Sequence, residues 1–352
     1  MTDFMNGYPM LYYLFLAIFP LLFVIPFALM AVYAERKVSA YMQNRIGPNR
    51  TGPLGLLQTT ADILKLLQKE DMRPGHSDRF LTSASPIVVF LGSYLIYAAL
   101  PFNSILTGAT LDLGLLFLLS VSGIVVIGIL VAGWSSDNKY SLLGALRSAA
   151  QIISYEIPSV MVVMILFVIT QSLSLTEISE KQTANIFNWY ILGGPDLTWK
   201  KFIFIPIMII SAVILFISTL AEVNRTPFDL PEAESELVAG FHTEFSGIKF
   251  ALFFLAEYAN MFAVSALIAT VFFGGYQSPF GYLGDALNLS WLVPAEQFFW
   301  FTIKALGLVF VQMWLRWTLP RLRIDQLMSL CWKYLIPIAL FLFVLVTFIT
   351  MI

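Results

Sequence analysis

One cysteine and two histidines are all that this 352-residue sequence offers in classical metal and redox ligands. Cys331 alone can close no disulfide within the chain. It also cannot supply a four-thiolate iron–sulfur cluster or zinc site. His76 and His242 are too few for haem pairs or a histidine-rich metal centre. The chain contains no HExxH, no GxSxG, no Walker loop and no GxGxxG opening a helix. Nothing of those kinds therefore holds a nucleotide or activates a nucleophile. Charge is scarce too: 12% of residues are charged, the net charge is −2, and no basic block suits nucleic acid.

What the chain has is apolar length. Hydrophobic residues make up 59% of the sequence, which places it among integral membrane proteins. A membrane span needs about 20 mostly apolar residues, and eight stretches qualify: 10–33, 83–102, 113–134, 152–172, 202–222, 249–273, 297–317 and 332–351. The expected fold class is all-α, a polytopic membrane protein forming a single integral membrane domain over 1–352. The first run lacks a basic leader and a small-residue cleavage site, so it reads as a retained helix. No internal repeat suggests a carrier built from duplicated halves.

Of the 20 cationic residues, 16 fall in the first, third, fifth and seventh connections and the helix ends beside them. The positive-inside rule then makes these four charged loops cytoplasmic and puts both termini outside. A bacterial inner membrane is the expected location. The two outer segments 172–201 and 274–296 are polar or rich in Gly, Tyr and Pro and show no constellation.

The fifth connection departs most from an ordinary loop. Ala221–Gly247, AEVNRTPFDLPEAESELVAGFHTEFSG, holds Glu222, Asp229, Glu232, Glu234, Glu236 and Glu244 against the single cation Arg225. Like charges beside low-dielectric material favour protonated carboxylates. A solvated acidic loop is the plainer alternative. Glu222 and Arg225, three residues apart, could form a local ion pair, and Arg147 or Lys139 could pair with the acidic segment. Glu257 and Lys304 fall inside spans, where lipid-facing charge costs on the order of 3 kcal/mol. Both must face the protein interior, and Glu257 either pairs with Lys304 or lines a hydrated path. Glu156, at the start of its span near Pro158, suits a helix N-terminal turn. His242 reads as a capped loop histidine, and Asp325 as a local partner of Arg321 or Arg323.

The first connection is structured. Gly47-Pro48-Asn49 and Gly52-Pro53 are turn signals, and 54–69 follows with a helical period. Gln58, Asp62, Lys65 and Lys69 share one stripe, with Leu57, Ala61 and Leu64 on another, as expected of an interfacial amphipathic helix.

Four segments taken together carry a family resemblance: AERKVSAYMQNRIGPNRTGPLGLLQTTADILKLLQKED (34–71), GWSSDNKYSLLGALRSAAQIISYEIP (133–158), the acidic stretch, and WLRWTLPRLRIDQL (314–327). They resemble the H subunit of the proton-pumping NADH:quinone oxidoreductase, respiratory complex I, from first helix to last. The resemblance implies eight transmembrane helices plus the interfacial helix, and no redox centre in this chain. It implies quinone as the substrate, with NADH, FMN and iron–sulfur clusters handled by hydrophilic partner subunits. Further partners would be small membrane subunits and lipid. Glu35, Arg36, Arg45 and Asp62 would line or gate a quinone chamber, into which an isoprenoid tail enters sideways from the bilayer. Glu156, Glu222, Asp229, Glu232, Glu234, Glu236, Glu244 and Glu257 would form a proton-coupling carboxylate path. Two other readings fit the residues: the membrane anchor of a related hydrogenase or other-donor dehydrogenase, and an independent channel or carrier.

Overall fold

The computed structural model describes residues 9–72, 74–107, 111–195, 200–231, 234–289 and 291–351, excepting the side chains at 9, 11–13, 234, 235 and 286. Its helices, in chain order, are α1 (Pro9–Met42), α2 (Gln58–Gln68), α3 (Arg79–Leu95), α4 (Gly114–Ser135), α5 (Lys139–Thr170), α6 (Leu175–Lys181), α7 (Lys200–Glu222), α8 (Glu234–Leu237), α9 (Gly247–Phe272), α10 (Leu283–Ala286), α11 (Val293–Thr318), α12 (Ile324–Ser329) and α13 (Ile336–Met351). A π-helical turn, Leu330–Leu335, fuses α12 to α13. Among the described residues, eight helical runs are long and apolar enough to cross a membrane, matching the eight expected spans.

Two of those spans start or stop far from where hydropathy ends them. The helix begun in the first span continues past residue 33 to Met42, and the fourth begins at Lys139 rather than 152. Both extensions carry charged and hydroxyl side chains but no proline, so backbone hydrogen bonding carries the helix beyond its apolar part. Glu156 consequently sits in the middle of a 32-residue helix, not at an N-terminal turn. Likewise Glu35 lies inside α1 rather than at its end.

The core is arranged around α9, which packs against α1, α3, α7 and α11, with α2 and α6 at its two ends. A stripe of alanines explains why so many neighbours fit: Ala256, Ala259, Ala263, Ala266 and Ala269 are all at most 2% exposed. Their small side chains allow helix backbones to approach closely, as in other membrane bundles. Tyr97 donates to the Ala259 carbonyl at 2.7 Å across this contact. Phe19, Phe23, Phe27, Phe102, Phe262 and Phe298 fill the space beside it with edge-to-face and stacked rings.

The last helix is held by a proline-made vacancy in a hydrogen-bond ladder. Pro158 cannot donate to the Ser154 carbonyl four residues back. The Cys331 thiol donates to it instead, at 3.1 Å, and the Tyr155 hydroxyl reaches the Leu327 carbonyl at 2.9 Å. The lone cysteine is thus a buried packing residue. At the opposite end, Lys304 donates to the carbonyls of Phe273 (2.7 Å), Gly275 (3.0 Å) and Gln277 (2.6 Å), with its ammonium 4.1 Å from the Trp189 ring centre. Gln182 adds bonds to Thr270 and Gly274. The two segments that lack a sequence signature therefore close on each other through Lys304. Burial, with Glu180 beside it, pushes the Tyr276 phenol there well up from its ordinary pKa.

The interfacial helix begins at Gln58 rather than 54, because Pro53–Gly55 forms a 3-10 turn with Leu54 at a positive φ of 54°. Its expected polar stripe is real: the Gln58 amide donates to Asp62 at 3.2 Å, one turn on. Leu57, Leu64 and Leu67 are each more than half exposed. The helix ends against the start of α9. There Gly247 takes φ +58°, and a Cβ would lie 3.0 Å from the Lys69 carbonyl. Lys249 pairs with Asp71 at 3.0 Å in the same join.

Candidate functional site

Where α1, α9, α11 and the segment after α7 meet, the chain buries a charged node. Glu35 is 5% exposed and Arg225 3% exposed. The Arg225 Nη1 donates to both Glu35 oxygens, at 3.1 and 2.9 Å, and its Nε lies 2.8 Å from Glu257. Arg316 from α11 also binds Glu35, and the Tyr258 hydroxyl donates to it at 2.7 Å. The Tyr258 ring lies under the guanidinium, 4.6 Å from ring centre to Cζ. Burial weakens the charged form of Arg225, but Glu257 and Glu35 outweigh it and raise its pKa well above the ordinary value. Inside the bundle, then, two carboxylates are held to one fixed cation.

This geometry corrects two expectations. Arg225 does not pair with Glu222, three residues before it. The chain turns after α7, with Asn224 at φ +54°, and throws Arg225 toward α1 and α9. Glu257 pairs with Arg225 and not with Lys304, which is occupied with carbonyls on the far side of the bundle.

Glu222 instead joins a second, less charged group. It accepts from the Ser159 hydroxyl at 2.9 Å, while Ser122 donates to Glu156 at 3.2 Å. Gln151 braces the turn between the two groups, donating to the carbonyls of Ala221 and Phe228, each at 2.8 Å.

The other described carboxylates of the acidic segment each have a partner far along the chain. Asp229 meets Arg321 at 3.1 Å, Glu236 meets Arg147 at 2.6 Å, and Glu244 accepts from Asn138 at 2.7 Å. The Arg147 pairing matches one of the sequence alternatives. Glu232 lies outside the described residues, and so does the side chain of Glu234. The segment docks on α5 at Gly144, where a Cβ would come within 2.8 Å of the Gly240 Cα. His242 is buried among Phe241, Phe250 and Phe253. Asp325 stays at the surface, 3.7 Å from Arg323.

Of the four residues expected to line or gate a quinone chamber, three are connected. Arg36 pairs with Asp62 at 2.6 Å, tying α1 to α2, and Glu35 is its sequence neighbour on the buried side. Arg45 is exposed and contacts Gln43 at 2.7 Å, so it stands apart from that pair. Sequence reasoning gave no role to Tyr258, Ser122, Ser159, Gln151 or Asn260. The available signal was polarity inside apolar runs, which draws the eye to charges before hydroxyls and amides.

Known proteins supply the context. The model of the NADH dehydrogenase family matches residues 15–347. The chain is 49% identical over 334 residues to the H subunit of NADH-quinone oxidoreductase from Chlorobaculum parvum, covering 94% of this chain and 90% of the relative. It is 50% identical over 335 residues to the same protein from Chlorobium luteolum, covering 94% and 87%. To the Brevibacillus brevis protein it is 47% identical over 331 residues, covering 94% and 91%. An all-α bundle with eight membrane-length helices, matched along nearly its whole length by these relatives, belongs to the family of the NADH-quinone oxidoreductase H subunits.

Proposed function

We propose that this chain, as a membrane subunit of an NADH:quinone oxidoreductase, forms the membrane wall of a quinone chamber completed by a hydrophilic partner protein. It couples reduction of the quinone to proton translocation through its buried carboxylates. Electrons arrive from partners carrying FMN and iron–sulfur clusters, small membrane subunits pack beside it, and the site is in a bacterial inner membrane. In this reading the charged loops face the cytoplasm, both termini lie outside, and residues 1–352 act as one membrane domain.

The observation that carries this reading is the node of Glu35, Arg225 and Glu257. Glu35 is adjacent to Arg36, which joins α1 to the amphipathic α2. A lipid-soluble quinone entering between those helices would bring its head group toward Glu35. A change in charge there acts on Arg225, which also holds Glu257. Carboxylates bridged by one cation respond together, so protons redistribute over the set. Glu222 and Glu156 extend the route toward the middle of the bundle. Asp229, Glu232, Glu234, Glu236 and Glu244 connect it to the aqueous face, and Asp62 and Arg45 serve the entrance.

The test is the pair of variants E257Q and E222Q in the assembled complex. Quinone-linked proton translocation is expected to collapse, while electron transfer from NADH to an artificial acceptor in the hydrophilic arm continues. Translocation at the wild-type rate in both variants would retire the reading.

A further inference from the structure

The membrane carboxylates do not share a single space. One cavity of about 40 Å³ is lined by Glu257, Glu222, His242 and Ser93, and another of about 40 Å³ by Glu222 and Ser122 among apolar neighbours. Three residues border both: Val125, Glu222 and Asn260. A water needs roughly 10–15 Å³ on this measure together with polar partners, so each cavity has room for about three or four waters. Asn260 lies one turn beyond Glu257 on α9, on the same face. Its Oδ1 is buried and has no hydrogen-bond partner among the described residues.

We propose that Asn260 is a positioning residue for proton transfer at the junction of these cavities. This inference rests on the carboxylate route proposed above. An amide offers an acceptor oxygen and two donor hydrogens, so it orients waters in both cavities without taking up the proton. Val125 has nothing polar to offer. Glu222 is the titratable side chain common to both cavities, so a proton crossing between them passes through its carboxyl. Ser159 donates to Oε1, which leaves Oε2 to receive a proton from water on the Glu257 side. The carboxyl then releases it to water on the Ser122 side and returns to carboxylate, with Ser122 leading on to Glu156. Asn260 keeps those waters aligned with Oε2.

The experiment uses the assembled complex in proteoliposomes, with NADH:quinone turnover and proton translocation read together. N260L, close to Asn in size but without polar atoms, is expected to lower both by about tenfold, the order set by losing one positioning hydrogen bond. Transfer from NADH to an artificial acceptor stays unchanged. N260S packs worse than N260L yet keeps a donor and an acceptor, and it is expected to recover most of the rate. That ranking opposes the one a packing role would give. V125I, which narrows both cavities, is expected to slow turnover with Asn260 intact. Should N260L fail to assemble, N260A against N260S makes the same comparison. Wild-type rates in N260L, or a polar variant no better than its apolar counterpart, overturn the inference. If E222Q is impaired while N260L is normal, only the role of Asn260 falls; if E222Q is also normal, the carboxylate route falls with it.

Discussion

Replacing Arg225 with methionine tests the central geometric claim, that one guanidinium holds two carboxylates from different helices. Removing one partner of a buried ion pair costs about 3–5 kcal/mol, much of it from the charge left behind. Glu35 retains Arg316 and Tyr258, so the loss falls mainly on Glu257, whose side chain is 20% exposed. The lower end, about 3 kcal/mol, is therefore expected for R225M. R225M/E257Q also removes the carboxylate charge that Arg225 balances and is expected to regain about half of that. R225K is expected to resemble R225M more than wild type, because a single ammonium cannot occupy the Nη1 and Nε positions of a rigid fork. The assay is the temperature of half-inactivation of the purified complex at one fixed heating rate, since unfolding of such assemblies is irreversible. The order wild type, double variant, R225M is the expected result. Equal stability of R225M and wild type, or no gain from adding E257Q, refutes the shared-cation argument.

Three other outcomes follow from particular contacts. Gly144→Ala places a methyl 2.8 Å from the Gly240 backbone, which cannot swing aside as a side chain would. A cost of about 1–3 kcal/mol is expected, read as faster proteolytic cleavage between 234 and 246 in the assembled complex. The Arg36–Asp62 pair is 44% and 28% exposed, so a double-mutant cycle on stability should give less than about 1 kcal/mol. If these residues serve the quinone entrance, D62N nonetheless raises the quinone KM. Lys304→Met deprives three carbonyls of their donor. On the order of 3 kcal/mol of local stability should go, seen as faster hydrogen exchange in 274–282 with exchange in α2 unchanged.

The sequence exposes the spans because apolar runs are long and the alternative, an unpaired backbone in lipid, is prohibitive. It exposes α2 because Gln58 and Asp62 recur at the helical period. What hydropathy hides is polar helix, and both the 34–42 and 139–151 extensions escape it for that reason. The difference matters: it moves Glu35 from a terminus to the interior of α1, and Glu156 from an N-terminal turn to the middle of α5. Partner choice is less legible still. Nearness along the chain allows Glu222 with Arg225, and a shared place inside the spans allows Glu257 with Lys304. Both fail because residues 223–230 fold back beneath α5, and no local pattern encodes the direction of that turn. Gln151, which anchors it from 70 positions away, is invisible to any reading of the loop alone.

That turn gives the loop a consequence beyond its charge. Arg225 is the only cation of the acidic segment, and it belongs to the connection rather than to a spanning helix. The helices alone would bring Glu35 and Glu257 into the bundle without their shared counter-charge. The loop supplies it, and the loop's own position depends on Gln151, on the Asp229–Arg321 pair and on close contact at Gly144. Any displacement of the segment by an event at its outer face must therefore pull on Arg225. The cost of separating that guanidinium from buried carboxylates, about 3–5 kcal/mol, exceeds what an exposed pair such as Arg147–Glu236 can transmit. Coupling between the loop and the buried carboxylates is thus expected to run through Arg225. R147Q, which releases only the exposed pair, should leave proton translocation near the wild-type rate, whereas R225M should not. A strong defect in R147Q with R225M unaffected would put the coupling in the acidic surface instead.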